Sequence, residues 1–238
     1  MGFGQSWRVF VRAIRTSYEH LAKVLLGNAT WFIVSLSPFL LFIYFPTENY
    51  LIFLLSIILS IITFSGSTGA LQYIFHKTLK GEEVSARCFW DGFKKHVFKG
   101  SIIVFVIILG FSVLAFNILF SRANPSTFFL VLSGFWFWGI LYLFVLTQLI
   151  FPILVQENVG IREAFKRAAL LTLDNPLASA MLLIMSLSVI VLSMVAVGVP
   201  FLVFSASFLS ILQNYFYTEL KVKYLIAAEV EQGEDKRE

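Results

Sequence analysis

Long apolar segments without a charged residue alternate along the chain with short charged segments. Five such uncharged segments occur, and the last is long enough for two membrane spans of about 20 residues each. Val197–Pro200 divides this last segment, because glycine and proline interrupt helices. The pattern predicts six transmembrane helices, near residues 29–46, 49–75, 101–121, 126–155, 176–197 and 200–220.

The charged segments have the pattern of amphipathic helices that lie at the membrane surface. In Trp7–Gly27, apolar residues recur at helical spacing and charged residues occupy the opposite face. Phe89–Lys95 and Ile161–Arg167 share one order of residues: apolar, variable, acidic, small, Phe and two bases. The acid and the last base, Asp91 with Lys95 and Glu163 with Arg167, are four residues apart and are predicted to pair.

Three places where a charged segment meets an apolar one carry residues typical of helix ends. They are Gly27-Asn28, Gly100-Ser101 and Asn175-Pro176, at nearly equal spacing along the chain. Glycine or asparagine ends a helix, whereas serine, asparagine or proline begins one, so a break is expected at each place.

We therefore predict an all-α membrane protein with internal repeats. Its six transmembrane helices form three parallel repeats, each an amphipathic interfacial helix followed by a transmembrane hairpin. The repeats cover about residues 1–76, 77–157 and 158–228 of a single domain, and residues 229–238 are expected to form an acidic disordered tail.

Composition and charge support a membrane location and predict an orientation. Hydrophobic residues make up 58% of the 238 residues and charged residues 13%, which is too few charges to cover a soluble surface. All of the 18 Lys and Arg residues except Arg122 lie on one predicted side. The positive-inside rule then predicts a multi-pass protein of the cytoplasmic membrane with both termini in the cytoplasm. Anionic lipid headgroups, rather than nucleic acid, are the expected partner of these bases.

No Asp, Glu, Lys or Arg lies well inside a predicted span, so the polar groups there are mainly hydroxyls and amides. The densest cluster is in the second span, and its candidate site residues are Ser65, Ser67, Thr68, Gly69 and Gln72. Three interpretations stay open for these residues. They could serve helix packing, since small residues and hydroxyls join membrane helices; they could line a polar cavity for an uncharged solute; or they could border a lipid-binding groove.

Sequence signatures of enzymes are missing. The chain has no phosphate-binding loop, no HExxH motif and no paired Cys/His spacing for a metal. We therefore expect a protein that is not an enzyme, with no catalytic, cofactor-binding or metal-ligating residue.

Three passages resemble the YesL-like family of bacterial membrane proteins, whose domain has no established function. They are Asn28–Trp31 running on to Ser37-Pro38, Ser67–Glu83 with its Lys80-Gly81-Glu82-Glu83 end, and the helix Phe89–Lys95. Members of this family tend to accompany ABC-type carbohydrate importers. The resemblance implies an accessory role in carbohydrate uptake.

Two functional hypotheses follow. In the first, the chain is a non-enzymatic partner of a membrane transport complex and docks through its cytoplasmic amphipathic helices. The candidate docking residues are Phe93, Lys94, Lys95, Phe165, Lys166 and Arg167. In the alternative, it is a small transporter or facilitator for a neutral or lipidic solute, which passes through a polar cavity on the pseudo-threefold axis.

Overall fold

The structure is a computed structural model that describes residues 1–39, 50–124, 126–195 and 201–235. The elements in these residues are helices, and no strand occurs among them. A π-helical turn, Phe201–Ser205, precedes the last helix directly. The α-helices are α1 Phe3–Glu19, α2 Leu21–Leu36, α3 Tyr50–Leu79, α4 Arg87–Ala123, α5 Thr127–Glu157, α6 Ile161–Asp174, α7 Pro176–Val195 and α8 Ala206–Asp235.

Four of the helices, α3, α4, α5 and α7, are long and apolar enough to span a membrane. Large apolar side chains such as Phe116, Leu130 and Trp138 are exposed on them, as expected for surfaces that meet lipid. The all-helical class is confirmed, and these four candidate spans correspond to the second to fifth of the six predicted spans. For the first predicted span, only the 16-residue α2 is described, and residues 40–46 lie outside the described residues. The predicted sixth span corresponds to the π-helical turn and the start of α8, which is not among the four.

Two of the three predicted helix breaks are wrong. Helix α2 continues through Gly27-Asn28 and α4 continues through Gly100-Ser101, whereas a break does occur at Asn175, between α6 and α7. The two glycines instead allow close packing. A Cβ at Gly27 would lie 3.2 Å from Leu71 Cδ2, and one at Gly100 would lie 3.3 Å from Ser65 Cβ. The chain bends at His20 instead, where α1 ends.

Helix α1 is amphipathic, but its buried face is not the aromatic one. Small residues of α1, such as Ala13 and Thr16, are buried, while Trp7 and Tyr18 are exposed. The small face lies against α8, where the Thr16 and Tyr215 hydroxyl oxygens are 2.9 Å apart. The bulky face is therefore free to lie in the membrane interface, where aromatic side chains are favoured.

The buried core lies towards one end of the bundle. It is built from the second half of α3, the last turns of α5 and the first half of α8, where Phe75, Ile150 and Phe216 are fully buried. We call this end, at which α3 ends and α4 begins, the basic end, because it carries Lys77, Lys80 and the lysines of the first turns of α4.

The last helix is longer than expected. It continues to Asp235, so the backbone of residues 229–235 is helical where the sequence predicts a disordered tail. The repeat pattern stays a prediction. In its second unit, the predicted interfacial helix and the span that follows it form one continuous helix, α4.

Candidate functional site

The predicted polar cluster of α3 does not form one site, because its side chains contact three different helices, α2, α4 and, through Gln72, α8. Ser65 Oγ lies 2.9 Å from Ser101 Oγ of α4. Ser67 Oγ lies 2.6 Å from Ser35 Oγ of α2. Thr68 Oγ1 accepts the indole N–H of Trp31, also on α2, at 3.1 Å.

Glycines let α3 and α4 approach closely. A Cβ at Gly69 would lie 2.8 Å from His96 Cβ, and one at Gly66 would lie 2.5 Å from the ring of Phe93. From the other side, a Cβ at Gly92 would lie 3.1 Å from the Ala70 Cα atom. This is the small-residue contact typical of membrane helices, and it gives Gly69 a packing role.

Gln72 belongs to a carboxamide network that joins α3, α5 and α8, and in which Gln72 and Asn214 are buried. Its Nε2 donates to Gln213 Oε1 at 2.6 Å, and its Oε1 accepts from Asn214 Nδ2 at 2.5 Å. Gln213 Nε2 in turn donates to Gln148 Oε1 at 2.7 Å. Gln156 Nε2 donates to Asn214 Oδ1 at 2.8 Å. The network satisfies uncharged polar groups where water is scarce, and it links the three helices that form the core.

One end of the network reaches the basic end of the bundle. Gln156 precedes Glu157, the last residue of α5, whose carboxylate accepts from Lys221 Nζ at 2.5 Å and also pairs with Arg167. The partly exposed Thr218 Oγ1 lies 2.9 Å from the Asn214 carbonyl oxygen, to which it donates.

The other end of the network borders a groove of about 560 Å³ between α2, α3, α4 and α5. This volume is within the range of small-molecule sites. The groove is mainly apolar and rich in aromatic rings, and none of the described residues that line it is ionisable. They are Trp31, Phe32, Ser35, Leu36, Phe39, Ser60, Ile61, Phe64, Thr68, Val104, Ile107, Ile108, Phe111, Phe144, Thr147, Phe151 and Gln213.

The groove lies at the middle of the long helices. Thr68 is its lining residue nearest to the basic end of α3, and at 1.5 Å per residue it lies about 16 Å along the helix from Leu79. That is about half of a hydrocarbon core roughly 30 Å thick. A molecule in the groove would therefore lie at the depth of the lipid tails.

Most polar groups of the groove are already paired. Ser60 and Thr147 donate to carbonyl oxygens of their own helices. Two donors differ. Gln213 uses one amide N–H and Thr68 uses its oxygen only as an acceptor, so one N–H and one O–H remain without an acceptor among the described residues. The groove thus offers an apolar cavity with hydrogen-bond donors at one end.

The predicted docking residues fall into two groups. Lys94, Lys95 and Lys166 are exposed, and Lys95 Nζ also lies 5.5 Å from the centre of the Tyr73 ring. The predicted ion pair of Lys95 with Asp91 does not form between these two described residues.

The other docking residues make internal contacts. Phe93 packs at Gly66, and Phe165 packs against the buried core. Arg167 forms the predicted ion pair with Glu163 at 2.7 Å, besides its pair with Glu157. The hydrogen bond from Arg167 lowers the pKa of the Glu163 carboxyl below its usual value.

Sequence analysis missed Gln213, the residue that connects the groove with the network. Gln213 and Asn214 are adjacent on α8 and both contact Gln72. Gln213 also contacts Gln148, whereas Asn214 contacts Gln156. Gln148 and Gln156 are eight residues apart, a spacing that places both on one face of α5. Matching amide pairs on two apolar helices are the signal that could have predicted the contact.

No group of three or more His, Cys, Asp or Glu side chains that could hold a metal ion occurs in the described part of the chain. Comparisons with protein-family models, with curated proteins and with solved structures find no match to this chain. The resemblance to the YesL-like family stays a prediction.

Proposed function

We propose that the chain is a non-enzymatic, multi-pass protein of the cytoplasmic membrane, with both termini in the cytoplasm, that binds an uncharged lipidic solute within the bilayer. The observation that carries the proposal is the groove that Gln213 borders. It combines an aromatic-rich apolar lining with a polar end, as ligand sites commonly do.

The character of the solute follows from the lining. A charged group at this depth would need an opposite charge, because ions are costly to bury in hydrocarbon. None of the described lining residues supplies one. An uncharged molecule that already partitions into the bilayer fits both the apolar lining and the depth of the groove. The lining is mainly apolar, unlike the polar cavity that the sequence suggests.

Trp31 allows the proposal to be tested by fluorescence, since its indole ring lines the groove. We would keep Trp31 and replace the other four tryptophans with Phe, then titrate 1-bromododecane into nanodiscs that hold the full chain. Bromine quenches indole emission on contact. We expect saturable quenching of Trp31 at low mole fractions of the probe. A protein that keeps only the exposed Trp138 should show non-saturating quenching, in proportion to the probe dissolved in the lipid.

Ile108→Phe provides the blocking variant, and Ile102→Phe provides its control. Both isoleucines are on α4 and partly exposed, at 46% and 37%, but only Ile108 lines the groove. Ile108→Phe should weaken saturable quenching about tenfold by filling the groove, while Ile102→Phe should leave it unchanged. Quenching of Trp31 that never saturates, in wild type as in Ile108→Phe, would contradict the proposed function.

A partner role in ABC-type carbohydrate uptake is the second candidate, and one surface favours it. Trp90, Lys94 and Phe98 are exposed at four-residue spacing along α4, which gives a basic stripe with aromatic ends. Such a stripe suits either the membrane interface or another membrane protein.

Co-purification tests this second candidate. The tagged chain would be extracted in mild detergent from its native membrane, beside a Lys94→Glu/Lys95→Glu/Lys166→Glu variant. Permease subunits of a carbohydrate importer should accompany the wild type at equal stoichiometry and leave the variant. Recovery of the wild-type chain alone would count against the partner role.

A further inference from the structure

The two unpaired donors of the groove restrict the ligand further than the apolar lining does. The argument rests on the proposed function, that is, on the groove binding an uncharged lipidic solute. Gln213 and Thr68 are the lining residues concerned, and both offer a hydrogen atom rather than a lone pair. A ligand that satisfies them must bring acceptors.

The two donors lie at the same end of the groove. Thr68 precedes Gln72 by one helical turn on α3, and Gln72 donates to the Gln213 carboxamide oxygen at 2.6 Å. The network holds the Gln213 amide on both sides, because its oxygen accepts from Gln72 and its nitrogen donates to Gln148. Its second N–H is therefore held in one orientation before a ligand binds, which lowers the entropic cost of binding.

The depth of the two donors in the bilayer limits which lipids could supply the acceptor. The head of a phospholipid is charged and belongs at the membrane interface, about 15 Å from the middle of the hydrocarbon core. Thr68 lies near that middle, about 16 Å from the end of α3. Gln213 contacts Gln72, which lies about 10 Å from the same end and is still inside the hydrocarbon. The acceptor must therefore belong to an uncharged group that can enter the hydrocarbon with the rest of the molecule.

Aromatic side chains form much of the lining around this end. Trp31 and Phe64 contact each other edge to face, with ring centres 5.8 Å apart, and Phe144 and Phe151 line the α5 side. Such rings favour a flat ligand that can stack on one ring and meet the edge of another. A quinone has a head of this kind, because it is flat and uncharged and its carbonyl oxygens only accept hydrogen bonds.

We propose that the groove binds an isoprenoid quinone, with the tail along the apolar lining and one ring carbonyl accepting hydrogen bonds from Gln213 Nε2 and Thr68 Oγ1. The proposal concerns binding only. The dimethyl ether of the corresponding hydroquinone is a matched ligand, because it has the same ring and tail but replaces the carbonyl oxygens with poorer acceptors.

The experiment uses the full chain with Trp31 as its only tryptophan, in nanodiscs, and the probe is 2,3-dimethoxy-5-methyl-6-decyl-1,4-benzoquinone. Quinones quench indole emission, so the dissociation constant is read from Trp31. We expect saturable binding, and we expect the matched dimethyl ether, added as a competitor, to bind about tenfold more weakly than the quinone.

Three variants test the hydrogen bonds. Gln213→Leu and Thr68→Val should each weaken quinone binding about five- to tenfold and leave the affinity for the dimethyl ether unchanged. Ser60→Ala is the control, since the Ser60 hydroxyl lines the groove but donates to its own helix. If Gln213→Leu proves unstable because the network is broken, Thr68→Val decides, since Thr68 is not part of the network.

The outcomes separate the inference from the proposed function. Equal affinities for the quinone and the dimethyl ether, unchanged by Gln213→Leu and Thr68→Val, would overturn the quinone assignment but leave a lipid groove. Quinone that quenches Trp31 only in proportion to its bulk concentration, while 1-bromododecane saturates, would also overturn the assignment alone. If neither probe saturates, the quinone assignment and the proposed function both fail.

Discussion

Asn214 is the buried side chain that joins the core helices most directly. From α8 it contacts Gln72 of α3 and Gln156 of α5, and it is fully buried. A hydrocarbon environment makes each of these bonds important, because an unpaired amide there has no water to bind. Single residues of this kind decide how the helices fit together.

Asn214→Leu should destabilise the protein, because it leaves the Gln72 side-chain oxygen without its donor. It also leaves Gln156 Nε2 with only its 3.3 Å bond to the backbone carbonyl of residue 214. Leaving buried polar groups unpaired costs about 1–3 kcal/mol. We expect a lower melting temperature in detergent. Asn117→Leu is the matched control, since Asn117 donates only to the Val113 carbonyl of its own helix. A melting temperature equal to that of the wild type would contradict a structural role for the network.

At the residue scale, sequence reasoning identified part of the site. Gln72 stands out because few amides occur in so apolar a helix. Its partner Gln213 does not, because a contact between residues 141 positions apart depends on how α3 and α8 pack. The roles of Asn28 could not be predicted either. Its side-chain oxygen accepts the backbone N–H groups of Ala206 and Ser207 across the molecule.

At the scale of the helices, the close contact of α3 with α4 depends on glycines, which have no side chain. Gly69 allows the His96 Cβ atom to approach its backbone, and a methyl group there would lie 2.8 Å from that atom. His96 Cβ is fixed to the α4 backbone and cannot move aside as a side-chain tip can. The two helices would have to separate.

Gly69→Ala is therefore expected to destabilise the protein by about 1–3 kcal/mol through overpacking. Gly134→Ala is its control, because no atom lies within 4 Å of a Cβ at Gly134 and alanine favours the helix. Thermal unfolding of the two variants in the same detergent provides the measurement. A Gly69→Ala protein as stable as Gly134→Ala would show that the contact between α3 and α4 accommodates a methyl group without strain.

Two of the three predicted helix breaks are wrong, because glycine suits two different structures. Glycine before a span is compatible with a helix end and with a close helix contact, and a single sequence does not distinguish them. At Gly27 and Gly100 the close contact is the outcome. At Asn175 proline follows, and proline cannot donate a backbone hydrogen bond, so the break predicted there is present.

For the whole molecule, the charge distribution makes a prediction about orientation. The exposed residues Lys94 and Arg122 lie towards opposite ends of α4, a helix of 37 residues. The positive-inside rule assigns Lys94 to the cytoplasm and Arg122 to the opposite side.

Labelling with a membrane-impermeant maleimide checks this orientation. Cys88 is the single cysteine, so a Cys88→Ser background allows one new cysteine at a time. Arg122→Cys should react in intact cells, whereas Lys94→Cys should react only after the membrane is permeabilised. The reverse pattern would place the basic end and both termini outside.

The contact of α1 with α8 determines when the N-terminal helix can reach its final position during synthesis. Thr16 pairs with Tyr215, a residue 199 positions later, and Asn28 accepts N–H groups from residues 206 and 207. These partners leave the ribosome only after all the helices between them. Until then the small-residue face of α1 has no α8 to pack against, so α1 docks only after the helices between them have been made.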